Sequence, residues 1–176
     1  NLAQLTALDG YRTLLIDGDA TGQGLSLALG VTGRPGLAQV ATEGMPLAEA
    51  VVTLPVTGLE LLPSIRPGGP ATQPSAARMS RLLSAARAVY DVVVLDAQPL
   101  GLTSDVKSLM LSLDRVVLVA DWGRTKRDAL QQFAGNEPEL SEKIAGVVLN
   151  RARMRRLGAY GVAFQAKSFT GSRAFS

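Results

Sequence analysis

An α/β domain with a doubly wound, mostly parallel sheet is what this 176-residue sequence predicts, on three observations. Two apolar runs each end in aspartate, Leu14-Leu15-Ile16-Asp17-Gly18-Asp19 and Val92-Val93-Val94-Leu95-Asp96. This is the pattern of buried parallel strands that deliver carboxylates to one sheet edge, where α/β nucleotide enzymes hold a metal and activate a nucleophile. Further continuous apolar runs alternate with segments of helical period, as a sheet covered on both faces requires. A hydrophobic content of 47% over this length suffices for one core, with too little charge for disorder.

The elements follow in order. Leu2, Leu5 and Leu8 recur at helical spacing, and Asp9-Gly10 punctuates before a strand at 13–17. Residues 22–36 read as a loop holding a short helix at 25–29. One or two short helices span 37–52, broken at Gly44 and Pro46. A short strand at 59–62 leads into a loop at 63–74 rich in proline and glycine. A helix at 75–89, the strand at 92–96, a helix at 104–111, a strand at 116–120, a helix at 125–133 and a strand at 144–150 complete the pattern. The expected organisation is a single domain over residues 1–168, entered within a helix and therefore lacking an upstream piece, with a frayed tail at 169–176.

Composition narrows the chemistry. The chain has no cysteine and no histidine, which excludes a disulfide framework, thiolate and imidazole metal sites, and Ser-His-Asp catalysis. An oxygen-ligated ion such as magnesium fits aspartates, hydroxyls and phosphates. No apolar run approaches the roughly 20 residues that span a bilayer, and no signal peptide opens the chain, so a cytoplasmic segment is expected. The net charge is +3. Arg151, Arg153, Arg155 and Arg156 form a basic run that would face phosphate, a neighbouring subunit, anionic lipid or simply solvent.

Asp17 and Asp19 stand two apart, so on a continuing strand they share a face. One could then serve a metal and the other accept a proton; alternatively both merely hydrogen-bond a turn at Gly18. Asp96 ends a buried strand and could hold a magnesium-bound water or cap the next loop. Trp122 would cover a nucleotide or close the core edge, and Tyr11 and Tyr90 are expected to pack beside strands.

The ordered succession of these motifs resembles the bacterial tyrosine kinases of capsule and exopolysaccharide synthesis, relatives of the partition and septum-site P-loop ATPases. The resemblance runs from the Asn-Leu-Ala helix through Arg12 to Asp19, Leu25 to Gly30, Gly36-Leu37 and Leu59-Glu60-Leu61-Leu62-Pro63. It continues through Tyr90 to Pro99, Ser104-Asp105, Asp114 to Val119 and Gly146-Val147-Val148-Leu149-Asn150. It implies a P-loop-type fold whose first strand and phosphate loop precede Asn1, so that this segment alone is expected to be inactive.

By the same resemblance, Asp17 and Asp19 match the catalytic aspartate pair of the second nucleotide motif, with Asp17 also on the magnesium side. Asp96 matches the aspartate that organises magnesium water, and Asn150 the asparagine that reads the adenine edge, although a strand-terminal asparagine is also an ordinary turn residue. Asp105 would be a supporting or helix-capping group. Two positions depart from the family. Thr21 stands where arginine is usual, and Gln98-Pro99 where a proline pair is usual, which puts transfer competence in question. The family's tyrosine-rich tail is reduced here to Tyr160 as phosphoacceptor candidate.

The implied activity is ATP- and magnesium-dependent tyrosine autophosphorylation that controls polymer export. It would act at the inner face of the plasma membrane, in a homo-oligomer, with a membrane chain-length regulator as partner, fused or separate. Two rivals stand beside it: a degenerate nucleotide-sensing scaffold of the same system, and a partition-type ATPase that binds DNA or membrane, the latter marked by salt-dependent DNA binding. A Rossmann domain fits less well, because Gly22-Gln23-Gly24 is too short a fingerprint.

Overall fold

The computed structural model describes residues 1–19, 24–31, 33–64, 74–97, 105–136 and 138–152. The chain divides into two compact units, Asn1–Asp114 and Arg115–Ser176.

The first unit opens with helix α1 (Leu2–Leu8) and strand β1 (Thr13–Asp17), followed by α2 (Leu25–Ala28). A π-helical turn at Gln39–Glu43, α3 (Leu47–Ala50), β2 (Val52–Thr53) and β3 (Glu60–Leu62) come next. Then α4 (Ala76–Arg87), β4 (Val92–Asp96) and α5 (Asp105–Leu111) complete it. The sheet order is β2-β3-β1-β4. β1 lies between two parallel partners, while β2 is antiparallel on the edge.

Continuous aliphatic runs make the central strands, because a parallel strand is buried on both faces. Leu14 and Ile16 are fully buried on one side of β1, against Leu62 and the α4 residues Met79, Leu82, Leu83 and Ala86. That α4 spacing of three and four residues is one helical stripe facing the sheet. On the other side, Thr13 Oγ1 donates to Thr6 Oγ1 of α1 at 3.1 Å, and Ala3 of α1 is buried. Helices therefore cover both faces of β1, the doubly wound arrangement expected. Arg12 and Asp91 join the entrances of β1 and β4 through a two-armed ion pair, with Nε and Nη2 reaching the carboxylate at 3.3 and 3.1 Å.

The helices expected at 37–52 are broken as the sequence indicated, with Gly44 at φ 77 between the π-helical turn and α3. Their predicted extension to residue 52 is corrected: Val51 is already extended and Val52 pairs with Leu61. Tyr90 packs against the core as expected. Tyr11 does not; it is 55% exposed.

The second unit contains β5 (Val116–Asp121), α6 (Arg127–Asn136), α7 (Pro138–Ser141) and β6 (Ile144–Asn150). β5 and β6 pair in parallel, with Asp121 opposite Asn150. No helix among the described residues is long and apolar enough to cross a membrane.

Candidate functional site

The parallel register sets Asp17 opposite Asp96 at the carboxyl ends of β1 and β4. The two strand ends meet closely: the Gly18 N–H donates to the Asp96 carbonyl at 2.8 Å. A Cβ at residue 18 would lie 2.7 Å from that carbonyl oxygen and 3.0 Å from Leu95 Cδ1. Only a residue without a side chain lets the two aspartates come this near.

Asp17 is 1% exposed, an unusual place for a carboxylate unless it is hydrogen-bonded. Its Oδ2 accepts from the Ser26 N–H at 2.7 Å and from the Ser26 hydroxyl at 2.5 Å. Its Oδ1 accepts from the Asp19 N–H at 3.2 Å. Charge-assisted bonds of this kind replace the water that burial removes. Ser26, itself buried in α2, also accepts from the Ser64 N–H at 3.1 Å, so the segment after β3 is tied to the same carboxylate.

β1 ends at Asp17, so Asp19 lies beyond the strand, and its backbone forms the turn at Gly18 that was the alternative reading. Its side chain still comes to the site. A Cβ at Gly24 would stand 3.3 Å from Asp19 Oδ2 and 3.8 Å from Asp17 Oδ1, so both carboxylates border the same point. Burial, followed by the charges of Asp17 and then Asp19, raises the Asp96 carboxyl above the ordinary aspartate range. Asp96 as a residue keeps solvent exposure, which screens part of that repulsion. Asp17, Asp19 and Asp96 thus form one acidic site. Among the described residues no three acidic or other ligating side chains are grouped so as to hold a metal ion by themselves.

Asn150 ends β6 in the second unit, where its Oδ1 accepts from the Arg151 N–H at 2.9 Å and its carbonyl from the Trp122 N–H. Arg151 occupies the left-handed region at φ 56 and its guanidinium reaches Asp121 at 3.1 Å. The asparagine acts here as a turn residue, its side-chain oxygen engaged by its own neighbour. Trp122 is half-buried. Tyr160, Thr21, Gln98, Pro99, Arg153, Arg155 and Arg156 lie outside the described residues, as does the side chain of Asp105.

Sequence reasoning missed Ser26 and Ser64. A serine at the start of the first helix after an aspartate-ended strand was the available signal for Ser26. Ser64 contributes only a backbone N–H, which no residue type announces.

A second close approach lies next to Ser64 in the chain. The Leu37 N–H donates to the Pro63 carbonyl at 2.7 Å, and a Cβ on Gly36 would fall 2.3 Å from that oxygen. Gly36-Leu37 and Leu62-Pro63, far apart in sequence, are thus one contact that fixes the chain just before Ser64.

No protein-family model matches the chain. It is 31% identical over 167 residues to the succinoglycan biosynthesis transport protein ExoP of Rhizobium meliloti (strain 1021), covering 91% of this chain but 21% of that protein. It is 27% identical over 165 residues to the tyrosine-protein kinase CpsD of Streptococcus agalactiae, covering 92% of this chain and 72% of the kinase. The VpsO kinase domain superposes with a TM-score of 0.73 at 27% identity, over 86% of this chain and 75% of that one. The septum-site-determining protein MinD of Pyrococcus horikoshii OT3, solved with Mg-ADP, superposes at 0.66 with 24% identity, over 84% and 62%. This last likeness is one of fold. The chain is a homologue of the bacterial tyrosine kinases, built on the P-loop NTPase fold that they share with the septum-site ATPases.

Proposed function

We propose that this chain forms the nucleotide-handling domain of a tyrosine autokinase that regulates exopolysaccharide or capsule polymerisation and export. One observation carries the reading. In a homologue of tyrosine kinases, a buried carboxylate that accepts three hydrogen bonds, Asp17, ends a parallel strand opposite Asp96, with Asp19 at its side.

The donor chemistry suits magnesium, which is commonly bound through one or two carboxylates and otherwise by water and nucleotide oxygens. Asp17 and Asp96 are the residues that would hold it, and the repulsion felt at Asp96 is what a cation would relieve. Bound there, the ion would neutralise charge on the phosphate oxygens of ATP. Asp17 and Asp19 serve the acceptor: as the tyrosine oxygen bonds to Pγ and the Pγ–O bond to ADP breaks, the phenolic proton passes to a carboxylate oxygen. Asp96 would hold the ion through a water that it orients by hydrogen bonding. Asn150 would read the adenine edge once its Oδ1 exchanges the Arg151 N–H for the base. Tyr160 is the acceptor candidate near the end of the chain.

Similarity to ExoP, by its name a transport protein, supports a membrane chain-length regulator as partner, fused or separately encoded. A homo-oligomer at the inner face of the plasma membrane, in which one copy phosphorylates its neighbour, completes the proposal.

Phosphotyrosine formation in the full-length protein with ATP and magnesium, mapped by mass spectrometry, tests it. Modification that disappears in Asp17→Asn supports the kinase. Its absence in folded, nucleotide-binding protein supplied with its membrane partner favours the degenerate scaffold.

A further inference from the structure

We propose that Ser26 is a positioning residue that commits one oxygen of Asp17 to structure, leaves the other for chemistry, and links that carboxylate to the chain leaving β3. The inference rests on the kinase reading for its catalytic consequence, but the link itself is a property of the fold. Asp17 Oδ2 receives two short bonds from a single residue, the Ser26 N–H at 2.7 Å and hydroxyl at 2.5 Å. A carboxylate oxygen with both lone-pair directions so occupied is a poor proton acceptor for a substrate. Oδ1 carries the longer 3.2 Å bond from the Asp19 N–H and is the oxygen nearer Gly24, where Asp19 Oδ2 also lies. The working edge of Asp17 is therefore Oδ1.

The hydroxyl of Ser26 is used twice. Its proton goes to Asp17 and its lone pair accepts the Ser64 N–H at 3.1 Å. All three residues are buried, at 1%, 6% and 4% exposure, so water does not readily replace a lost member. Pro63, next to Ser64, is held in turn by the Leu37 N–H. A displacement of the chain after β3 is thereby transmitted to the rotamer of Asp17, and the reverse holds equally. Threonine preserves the hydroxyl; alanine leaves the Ser64 N–H and one lone pair of Oδ2 without a partner.

The test uses full-length native protein, Ser26→Ala and Ser26→Thr, with two independent readouts. The first is NMR amide exchange. Protection at Ser64 is expected to fall about tenfold or more in the alanine variant and to return in the threonine variant, while Leu15 in mid-β1 keeps native protection. The second is phosphotyrosine formation with ATP and magnesium at a temperature where every variant is folded. The alanine variant is expected to lose about tenfold or more in kcat with KM for ATP within about twofold of native, and threonine to recover most of it.

Unchanged Ser64 protection in Ser26→Ala overturns the link. Altered protection with native kcat overturns the positioning role, as does a loss that threonine does not rescue. A native protein that forms no phosphotyrosine while Ser64 protection responds as expected overturns the kinase reading and leaves the link standing.

Discussion

β1 with β4 and β5 with β6 are two parallel pairs of similar composition, each strand aliphatic and each ending in a polar residue. Leu14 and Ile16 are fully buried, whereas Val119, Val148 and Leu149 retain 67%, 51% and 54% exposure. The terminal residues differ in the same sense. Asp17 is buried and bonded by Ser26 and Asp19, whereas Asp121 and Asn150 are met by Arg151, an exposed residue on the following turn. Apolar runs specify a strand in both places; what buries and bonds the carboxylate at the end of β1 is the layer of helix and loop packed around it.

The largest expected difference is in activity. Replacing a general base costs two to four orders of magnitude, so Asp17→Asn should lower kcat for phosphotyrosine formation at least about 100-fold. Asn150→Ala should raise KM for ATP by less than about tenfold with kcat retained, as befits a residue that reads one edge of a base. Steady-state kinetics on the full-length protein separate them. Equal losses in kcat would make the two strand ends equivalent in function despite their different burial.

Stability should divide the same way. Leu14→Ala opens a void in a filled core and should cost about 2–5 kcal/mol. Val148→Ala, on a half-exposed strand, should cost about 1 kcal/mol or less. Urea titration read by hydrogen exchange at β1 and at β6 amides reports each unit separately. A loss of several kcal/mol at Val148 would mean that the exposed face of β6 is covered in the working protein.

Glycine gives a finer comparison. Gly18→Ala places a methyl 2.7 Å from a backbone carbonyl that cannot swing away, and should destabilise by about 1–3 kcal/mol while separating the two aspartates. Gly146→Ala meets nothing within 4 Å and should be neutral or stabilise by up to about 1 kcal/mol through the unfolded chain. Thermal unfolding of the two variants decides it, and a harmless Gly18→Ala would show that the ends of β1 and β4 are further apart than the structure has them.

How much of this was legible in the sequence follows from the range of each cause. Runs such as Val92-Val93-Val94-Leu95 declare a strand locally, and two apolar runs that both end in aspartate place Asp17 and Asp96 at one sheet edge; that they stand opposite each other comes from the pairing of β1 with β4. Val52, the first residue of β2, reads as helix in the sequence because the strand character of β2 comes from pairing with β3, across the turn at 54–59, rather than from two residues of its own. α7, a four-residue turn of helix opened by Pro138, is too short to show a period. At the site, the Ser26–Ser64 bond spans 38 positions and ends on a backbone N–H, so no local pattern carries it. Tyr11 has the same aromatic ring as Tyr90, but only Tyr90 meets the core cluster and Glu60, and its hydroxyl is held well above the ordinary tyrosine range by burial and by that carboxylate.

The smallest effects are electrostatic, and two aspartates on the same strand segment should show them with opposite sign. Asp96 is raised by burial and by Asp17 and Asp19, so its contribution to stability is complete below the ordinary value of about 4 and is lost as pH rises through its folded value. At pH 7 the ionised group therefore opposes folding. Asp96→Asn should raise the unfolding midpoint there, with the gain vanishing toward pH 3. Asp91 is lowered first by its side-chain hydrogen bond to Arg12, so its contribution is present above about 4 and lost as pH falls through its folded value. Asp91→Asn should lower the midpoint at pH 7 and do nothing at the acid end. Its effect should also shrink in 0.5 M salt, because both partners of that pair are exposed. A midpoint that falls in Asp96→Asn at pH 7 would mean that this carboxylate is held by a partner rather than crowded by Asp17 and Asp19, and the acidic site would then be a hydrogen-bonded cap instead of a place prepared for a cation.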